Sequence, residues 1–599
     1  MVATYAAVLG ACAASLTVGQ AAIGLCGVRR WSWLAPPVGL ALLCAICWAT
    51  VRLPGEGAIS AAAVAVLAIG AIVFLWHRVE GVGDAAREAL PVALVALLVA
   101  SLPFIVEGHF GILGTGFNPD MSQHLLATDR LLDGARSQLL VEGYPLGPHA
   151  VVVALEKGLG IGLVQGFSGL TVAVAVLAPL TALTAVAGQP PLRRTAVALL
   201  VGLPYLIASF FAQGAFKETI QALFVLAFIL ALREASQNPA WRDLPLRFVP
   251  AALIAIGSVY VYSFPGLIWL AGITAAWVTV ELAWGKRAGS ATAASRPMLL
   301  ASVVLLAGTL PELGRMIDFQ RFETFDPSGP GLGNLFGQVS PFTALGIWFS
   351  GDFRVAAGDG AAPAFAYYLG AAFAAALLLY GLIRCARRRE TAILAGVLTL
   401  AGVYLAARVG GTPYTAAKAL CMAAPVLILA VLAPLVGRQA RRIPEQGDLG
   451  AGRLPPGALV AYLVLAGGCS LLAFANAPVG PSSYSPELTE SRPLLADSST
   501  LVIAPSELLE EEHGARYIAW ELRGGRVCIE NEAEVRAAPP PGVRFVVTWE
   551  RRTAAPFSGL RLRRRAGPYL LWERPRPVPG PSPCPLIAVR QARQGGQGD

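Results

Sequence analysis

The chain has 599 residues, of which 55% are hydrophobic and 14% charged, with a mean hydropathy of +0.61. Soluble proteins carry about 25% charged residues, so a purely soluble enzyme is excluded. The formal net charge of +9 sits in short clusters between long apolar runs, which is the pattern of membrane-protein loops rather than of a nucleic-acid surface.

A hydrocarbon core about 30 Å thick needs about 20 apolar residues per helix. On that measure spans are predicted at Ala3–Leu25, Leu34–Thr50, Gly57–Trp76, Ala89–Val106, Leu163–Ala187, Ala196–Phe211 and Thr219–Leu232. Further spans follow at Phe248–Tyr262, Pro265–Trp284, Met298–Leu310, Ala364–Ile383, Ala392–Ala407, Thr415–Val436 and Leu459–Phe474. The fold class is therefore an all-α polytopic membrane protein of about fourteen transmembrane helices. The first run lacks the basic region of a signal peptide and is read as a retained helix.

Basic residues fix the expected topology. Arg29 and Arg30; His77, Arg78 and Arg87; Arg193 and Arg194; and Arg233, Arg242 and Arg247 occupy alternate loops. So do Lys286 and Arg287; Arg384 with Arg387, Arg388 and Arg389; and Arg438, Arg441 and Arg442. The positive-inside rule assigns these loops to the cytoplasm. The expectation is thus a multi-pass plasma-membrane protein with both termini extracytoplasmic.

Residues 1–476 form the expected transmembrane domain, with extracytoplasmic loops at 107–147 and 312–363. Residues 477–599 form a small C-terminal extracytoplasmic domain, α/β or mostly β. Its segments Thr500–Ile503, Tyr517–Leu522, Arg544–Trp549 and Tyr569–Trp572 are rich in β-branched and aromatic residues between Gly and Pro, as strands are. The prolines from Pro575 to Pro585 predict an extended end. Seven of the nine cysteines lie in or beside apolar runs; the other two, Cys528 and Cys584, fall in the polar domain, where an oxidising compartment would allow a disulfide.

The first external loop contains Gly116-Phe117-Asn118-Pro119-Asp120-Met121-Ser122-Gln123-His124. Pro119 stops a preceding helix, and Met121, Leu125 and Leu132 have helical spacing. A carboxylate at the start of a helix is favoured by free N–H groups, which is the plain reading of Asp120. The functional reading is that Asp120 orients or deprotonates an acceptor hydroxyl, with His124 one turn later on the same face. The loop ends in Tyr144-Pro145-Leu146-Gly147-Pro148-His149. His149 reads as an interfacial anchor or, with His109, His124 and Asp120, as part of an outer cluster with metal-ligand chemistry available. The spacing matches no known zinc motif, so a divalent metal stays open and no cofactor is assigned.

Only four lysines occur: Lys157, Lys217, Lys286 and Lys418. Lys217 stands at an external helix start beside Glu218, and the two read plainly as a pair. Lys418 lies one turn into a span, where it either snorkels or meets an anion such as phosphate. Arg408, at the end of the preceding span, is expected to share that anion. Tyr262 belongs to an external aromatic turn with Tyr260 and Phe264, which suits an interfacial belt or a sugar-stacking surface. The second external loop, with Arg315, Asp318, Arg321, Glu323 and Asp326, is either solvated or a lid. No Walker loop, Gly-x-Ser-x-Gly elbow or His-Glu-x-x-His motif occurs.

These residues resemble the GT-C superfamily of integral membrane glycosyltransferases. The likeness rests on Asp120 in a first large external loop with an amphipathic helix after it, on Tyr144-Pro145-Leu146-Gly147-Pro148-His149, and on a Tyr-x-x-x-Lys element from Tyr414 to Lys418. The external C-terminal domain is similar as well. About three extra helices precede the loop, and Asp120 lacks a neighbouring acidic partner; both depart from the family pattern. The resemblance implies transfer of a sugar from a polyprenyl-phosphate donor to a cell-envelope glycan or lipid acceptor, with inversion, outside the cytoplasm. Asp120 would be the base, and Arg408 and Lys418 would hold the donor phosphate. His124, His149, Tyr144, Lys217, Glu218, Tyr262 and Tyr414 would bind substrate. The competing readings are an O-antigen-type ligase or polymerase and a lipid or solute transporter. Membrane lipids are expected partners and nucleic acid is not.

Overall fold

A computed structural model describes the chain except residues 77, 119, 133, 135–141, 187, 285–287, 321–330, 436–455, 482–485, 496–497, 506–514, 524, 536–537, 550–553, 577–578, 581–583 and 585–599. Expectations resting on Pro119, His77, Lys286, Arg287, Arg321, Glu323, Asp326, Arg438, Arg441, Arg442 and most of the proline-rich end lie outside the described residues.

The chain is a multi-pass helical membrane protein. Among the described residues, 10 helices are long and apolar enough to cross a bilayer, or 11 if the bent pair Pro191–Gly202 and Tyr205–Ala212 makes one span. The Glu56–Leu75 helix is only 11% buried within the protein and exposes Val66, Ile69 and Val73. Side chains of that kind are stable facing lipid and not water. The Leu163–Val186 helix, by contrast, is 94% buried and forms the centre of the bundle.

The count falls below the expected number for identifiable reasons. Residues 34–50 form a helix of 16 residues, Ala35–Thr50, below the usual spanning length. The segment expected at 89–106 is divided between Val82–Ala100 and Leu102–Glu107. Residues 196–211 fall on the bent pair, with 53° between its halves. Two further expected spans are counted together as Val249–Trp284, which breaks at Ser263 with φ 58 and ψ −153. The break is a reversal of direction. Phe248 and Trp277 touch at a ring separation of 5.8 Å, whereas a straight helix would hold them about 43 Å apart.

Contacts sort the loops into two poles. At one, Arg194 pairs with Glu88 at 3.0 Å, Arg233 with Glu390 at 2.7 Å, and the Trp31 N–H donates to the Glu80 carbonyl at 3.1 Å. These contacts bring together segments that border several of the described basic clusters. At the other pole the two large irregular loops meet each other, and the first meets the C-terminal domain. Strand β1 (Ile112–Leu113) pairs antiparallel with β2 (Val479–Gly480), which follows the last membrane helix.

The C-terminal domain is α/β. Strands β3 (Ser499–Ala504), β4 (Arg526–Asn531), β5 (Val543–Trp549), β6 (Arg561–Ala566) and β7 (Tyr569–Glu573) form one sheet in the order β4-β3-β5-β7-β6. β3 is parallel to β4 and β5, whereas β7 is antiparallel to β5 and β6. The segment expected as a strand at 517–522 is instead mostly within a helix, Ala515–Glu521. It supplies the crossover that a parallel β3–β4 pair requires. Cys528 and Cys584 form a disulfide.

Candidate functional site

Most of the residues singled out in the sequence converge at the pole that carries the C-terminal domain. The helix Met121–Leu132 begins directly after Asp120, whose carbonyl accepts from the N–H groups of Gln123 and His124 at 3.0 and 3.1 Å. The Asp120 N–H donates to the Asn118 side chain at 3.0 Å, closing a turn over the helix start. The helix Phe216–Gln237 begins one residue before Lys217, and Glu218 stands in its first turn. The helix Pro413–Val431 opens with a capping box between Thr412 and Thr415 and carries Lys418 one turn further in.

Glu218 and Lys418 form an ion pair at 3.2 Å, with side chains 6% and 16% exposed. The Tyr262 hydroxyl donates to the same Glu218 oxygen at 3.3 Å, and the Lys418 ammonium lies 4.2 Å from the Tyr414 ring centre. The expected Lys217–Glu218 pair is therefore replaced by a pair between helices. Neighbouring residues on a helix point in different directions, whereas Lys418 approaches Glu218 from across the bundle. Lys217 instead sits over the Tyr144 ring at 3.9 Å, in a cation–π contact. Among the described residues no carboxylate lies within salt-bridge distance of Lys217. Asp120 is within electrostatic reach of both Lys217 and Lys418.

Beneath this charged group lies a pair of histidines. His149 Nε2 and His124 Nδ1 are 3.0 Å apart, walled by Phe167 and Phe216. His149 is 0% exposed, which corrects its reading as an interfacial anchor, and among the described residues its Nδ1 lacks a hydrogen-bond partner. Burial holds the His149 imidazole down at about 3. His124 is pushed well below its ordinary value by burial first, then by His149 and the two lysines. Both rings are thus neutral. His109 is exposed, and its ring bonds the Glu107 carbonyl at 3.0 Å, outside this group. Among the described residues no three His, Cys, Asp or Glu side chains converge as metal ligands, and His124 and His149 spend ring nitrogens on each other. The donor set does not fit a divalent cation.

Arg408 stands apart from the cluster. The helix Thr391–Gly410 is buried only over its first half, and Arg408 is exposed beside Leu405 and Val409. Among the described residues no polar contact joins it to Lys418. The second cation near Lys418 is Lys217.

Two arginines that sequence reasoning left out or left open hold the site's walls. Arg354, with its side chain 4% exposed, binds Asp352 at 2.8 Å. It lies between the Phe117 and Phe336 rings, at 4.4 and 4.6 Å, and donates to the carbonyls of Phe117 and Asn334. Arg315 donates to the carbonyls of Gly143 and Val259 at 3.0 and 2.9 Å and pairs with the buried Glu312. Trp48 and Arg52 also donate to Glu312. A charge written amid aromatic residues in a loop was the available sign. What it binds is set in part by distant partners, Phe117 at 237 residues from Arg354 and Gly143 at 172 from Arg315. The second loop then passes over Tyr414. Gly331 and Gly333 have φ +56 and +59, and a Cβ on Gly333 would lie 2.9 Å from the Tyr414 ring.

The C-terminal domain docks onto the helix behind Asp120. Arg523 pairs with Asp129 at 3.2 Å, and Arg130 donates to the Gly525 carbonyl. No protein-family model matches the sequence, and no curated protein is significantly similar to it.

Proposed function

We propose that the protein is a membrane glycosyltransferase that moves a sugar from a polyprenyl-phosphate donor to a cell-envelope glycan or lipid acceptor, outside the cytoplasm and with inversion. One observation carries the reading: a helix-start carboxylate and two ammonium groups, drawn from three distant stretches of sequence, share one electrostatic environment at the ends of membrane helices. Such an arrangement suits a reaction in which a hydroxyl loses a proton while a lipid phosphate departs.

In this scheme Asp120 accepts the acceptor's hydroxyl proton. The new bond joins that oxygen to the anomeric carbon as the bond from that carbon to the phosphate oxygen breaks. The electron pair leaves on the phosphate, where Lys217 and Lys418 stabilise the charge. Lys217, without a carboxylate partner among the described residues, is the better placed to take the phosphate. Lys418 is held by Glu218 and Tyr262 and adds its charge from a fixed position. The disulfide supports an extracytoplasmic C-terminal domain, because such bonds persist in oxidising compartments. Positive loops at the opposite pole support the same orientation, with both termini outside the cytoplasm of a plasma-membrane protein.

The test is incorporation of radiolabelled sugar from polyprenyl-phosphate donors by purified protein, with Asp120→Asn and Lys217→Ala alongside the wild type. Loss of transfer in both, with unchanged thermal unfolding, supports the scheme. Full activity in Asp120→Asn removes the base assignment. Saturable solute uptake into sealed vesicles without transfer replaces the scheme with a transporter.

A further inference from the structure

Close in the chain to both the acid and the cation, through Phe117 and Gln213, a pair of carboxamides carries one unpaired donor and one unpaired acceptor. Asn334 Nδ2 donates both to the Phe117 carbonyl and to Gln213 Oε1, each at 3.0 Å. A carboxamide pair closes fully when each amide gives one hydrogen bond and takes one. Here Asn334 Oδ1 and Gln213 Nε2 are buried with no partner among the described residues, and Gln213 as a whole is 3% exposed. A buried polar atom left unsatisfied is destabilising. Two such atoms on a bonded pair, one a donor and one an acceptor, form a receptor for a group that does both.

The surroundings hold the pair rigidly. Gly114, at φ +86, packs so closely on Gln213 that a Cβ there would lie 2.2 Å from the Gln213 carbonyl carbon. Arg354 ties the Asn334 and Phe117 carbonyls together at 3.2 and 3.3 Å. Phe117 precedes Asp120 by three residues, at most about 11 Å of chain, and Gln213 precedes Lys217 by four, at most about 14 Å. The carboxamide pair therefore neighbours both groups of the transfer scheme.

We propose that Gln213 and Asn334 grip a hydroxyl of the transferred sugar, which accepts from Gln213 Nε2 and donates to Asn334 Oδ1. The chemistry selects the ligand class. A phosphate oxygen only accepts and would leave Asn334 Oδ1 empty, and an ammonium only donates and would leave Gln213 Nε2 empty; a hydroxyl fills both. The inference rests on the glycosyltransferase reading and assigns it a sugar subsite.

The test measures binding by the full-length protein in nanodiscs. The probes are bare polyprenyl phosphate, polyprenyl phosphates carrying mannose, glucose or arabinose, and the fully O-methylated form of each sugar lipid. At least one free sugar lipid should bind about tenfold or more tightly than the bare lipid. That advantage should vanish on O-methylation in the wild type, and on Gln213→Leu with bare-lipid binding unchanged. The O-methyl comparison needs no variant, so a Gln213→Leu protein that fails to fold leaves the test intact. Equal affinity for the bare and all sugar-bearing lipids, or an advantage that survives both changes, overturns the hydroxyl grip and leaves the donor reading standing. Failure of every lipid to bind overturns both.

Discussion

The Glu218 carboxylate meets the Lys418 ammonium at 3.2 Å across two helices that begin at the same pole of the bundle. Removing one member strands the other as an uncompensated buried charge, which costs about 3–5 kcal/mol. Glu218→Gln and Lys418→Met should each lower the thermal unfolding temperature in detergent, and the double variant should recover a large part of the loss. Additive losses in that cycle would show that the pair is not coupled.

The neutral histidine pair gives the protein an acid-sensitive joint. Unfolded histidine takes a proton near 6.5, whereas folded His149 resists protonation down to about 3. Below about 6.5 the unfolded chain therefore binds more protons than the folded one, and stability falls as pH drops. The loss continues until the folded pair also titrates. Unfolding of the wild type followed from pH 7.5 to 4.5 should show this slope, and His149→Asn should flatten it. An unchanged slope in the variant would place the effect elsewhere.

Arg354 fastens the second large loop to the first. Lysine cannot reproduce a planar fork lying between two rings and bonded to a carboxylate. Arg354→Lys should accelerate amide hydrogen exchange in residues 332–354 and 114–118 together, by about tenfold for each 1.4 kcal/mol lost. Exchange rising in only one of the two segments would contradict the coupling.

The Cys528–Cys584 bond closes a sequence separation of 56 residues. By chain-entropy reasoning a loop of that size stabilises by about 2–4 kcal/mol. Cys584→Ser should make the C-terminal sheet unfold before the membrane bundle, with early loss of near-ultraviolet signal from Trp549 and Trp572. A single transition at the wild-type temperature would count against that role.

The membrane class was legible in the sequence because apolar length is a local property. Asp120, His124, His149, Lys217 and Lys418 stood out as ionisable groups near the ends of apolar runs, and they do gather at one pole. Their partners were not legible. Lys217 lies next to Glu218 in the chain, yet the bundle gives Glu218 to Lys418 and Lys217 to Tyr144. Arg408 was paired with Lys418 on sequence proximity, but half of its helix faces outward. The segment at 517–522 has the residue types of a strand, and the parallel neighbours on either side of it make it a helix. Gln213 and Asn334 carry no charge and drew no notice. Their interest comes only from which of their atoms the fold leaves unpaired.

The antiparallel contact of Ile112–Leu113 with Val479–Gly480 sets the timetable of biogenesis. A ribosome releases the loop that bears Asp120 early, but its strand partner emerges only after the last membrane helix. During that interval the loop has no edge to pair with, and the domain that packs behind its helix has not yet been made. A chain that stalls or is cut before Val479 therefore lacks the strand that pairs with the Asp120 loop. The pairing that organises this pole therefore joins two segments made far apart in time, and it forms only once the chain past the last membrane helix has been synthesised.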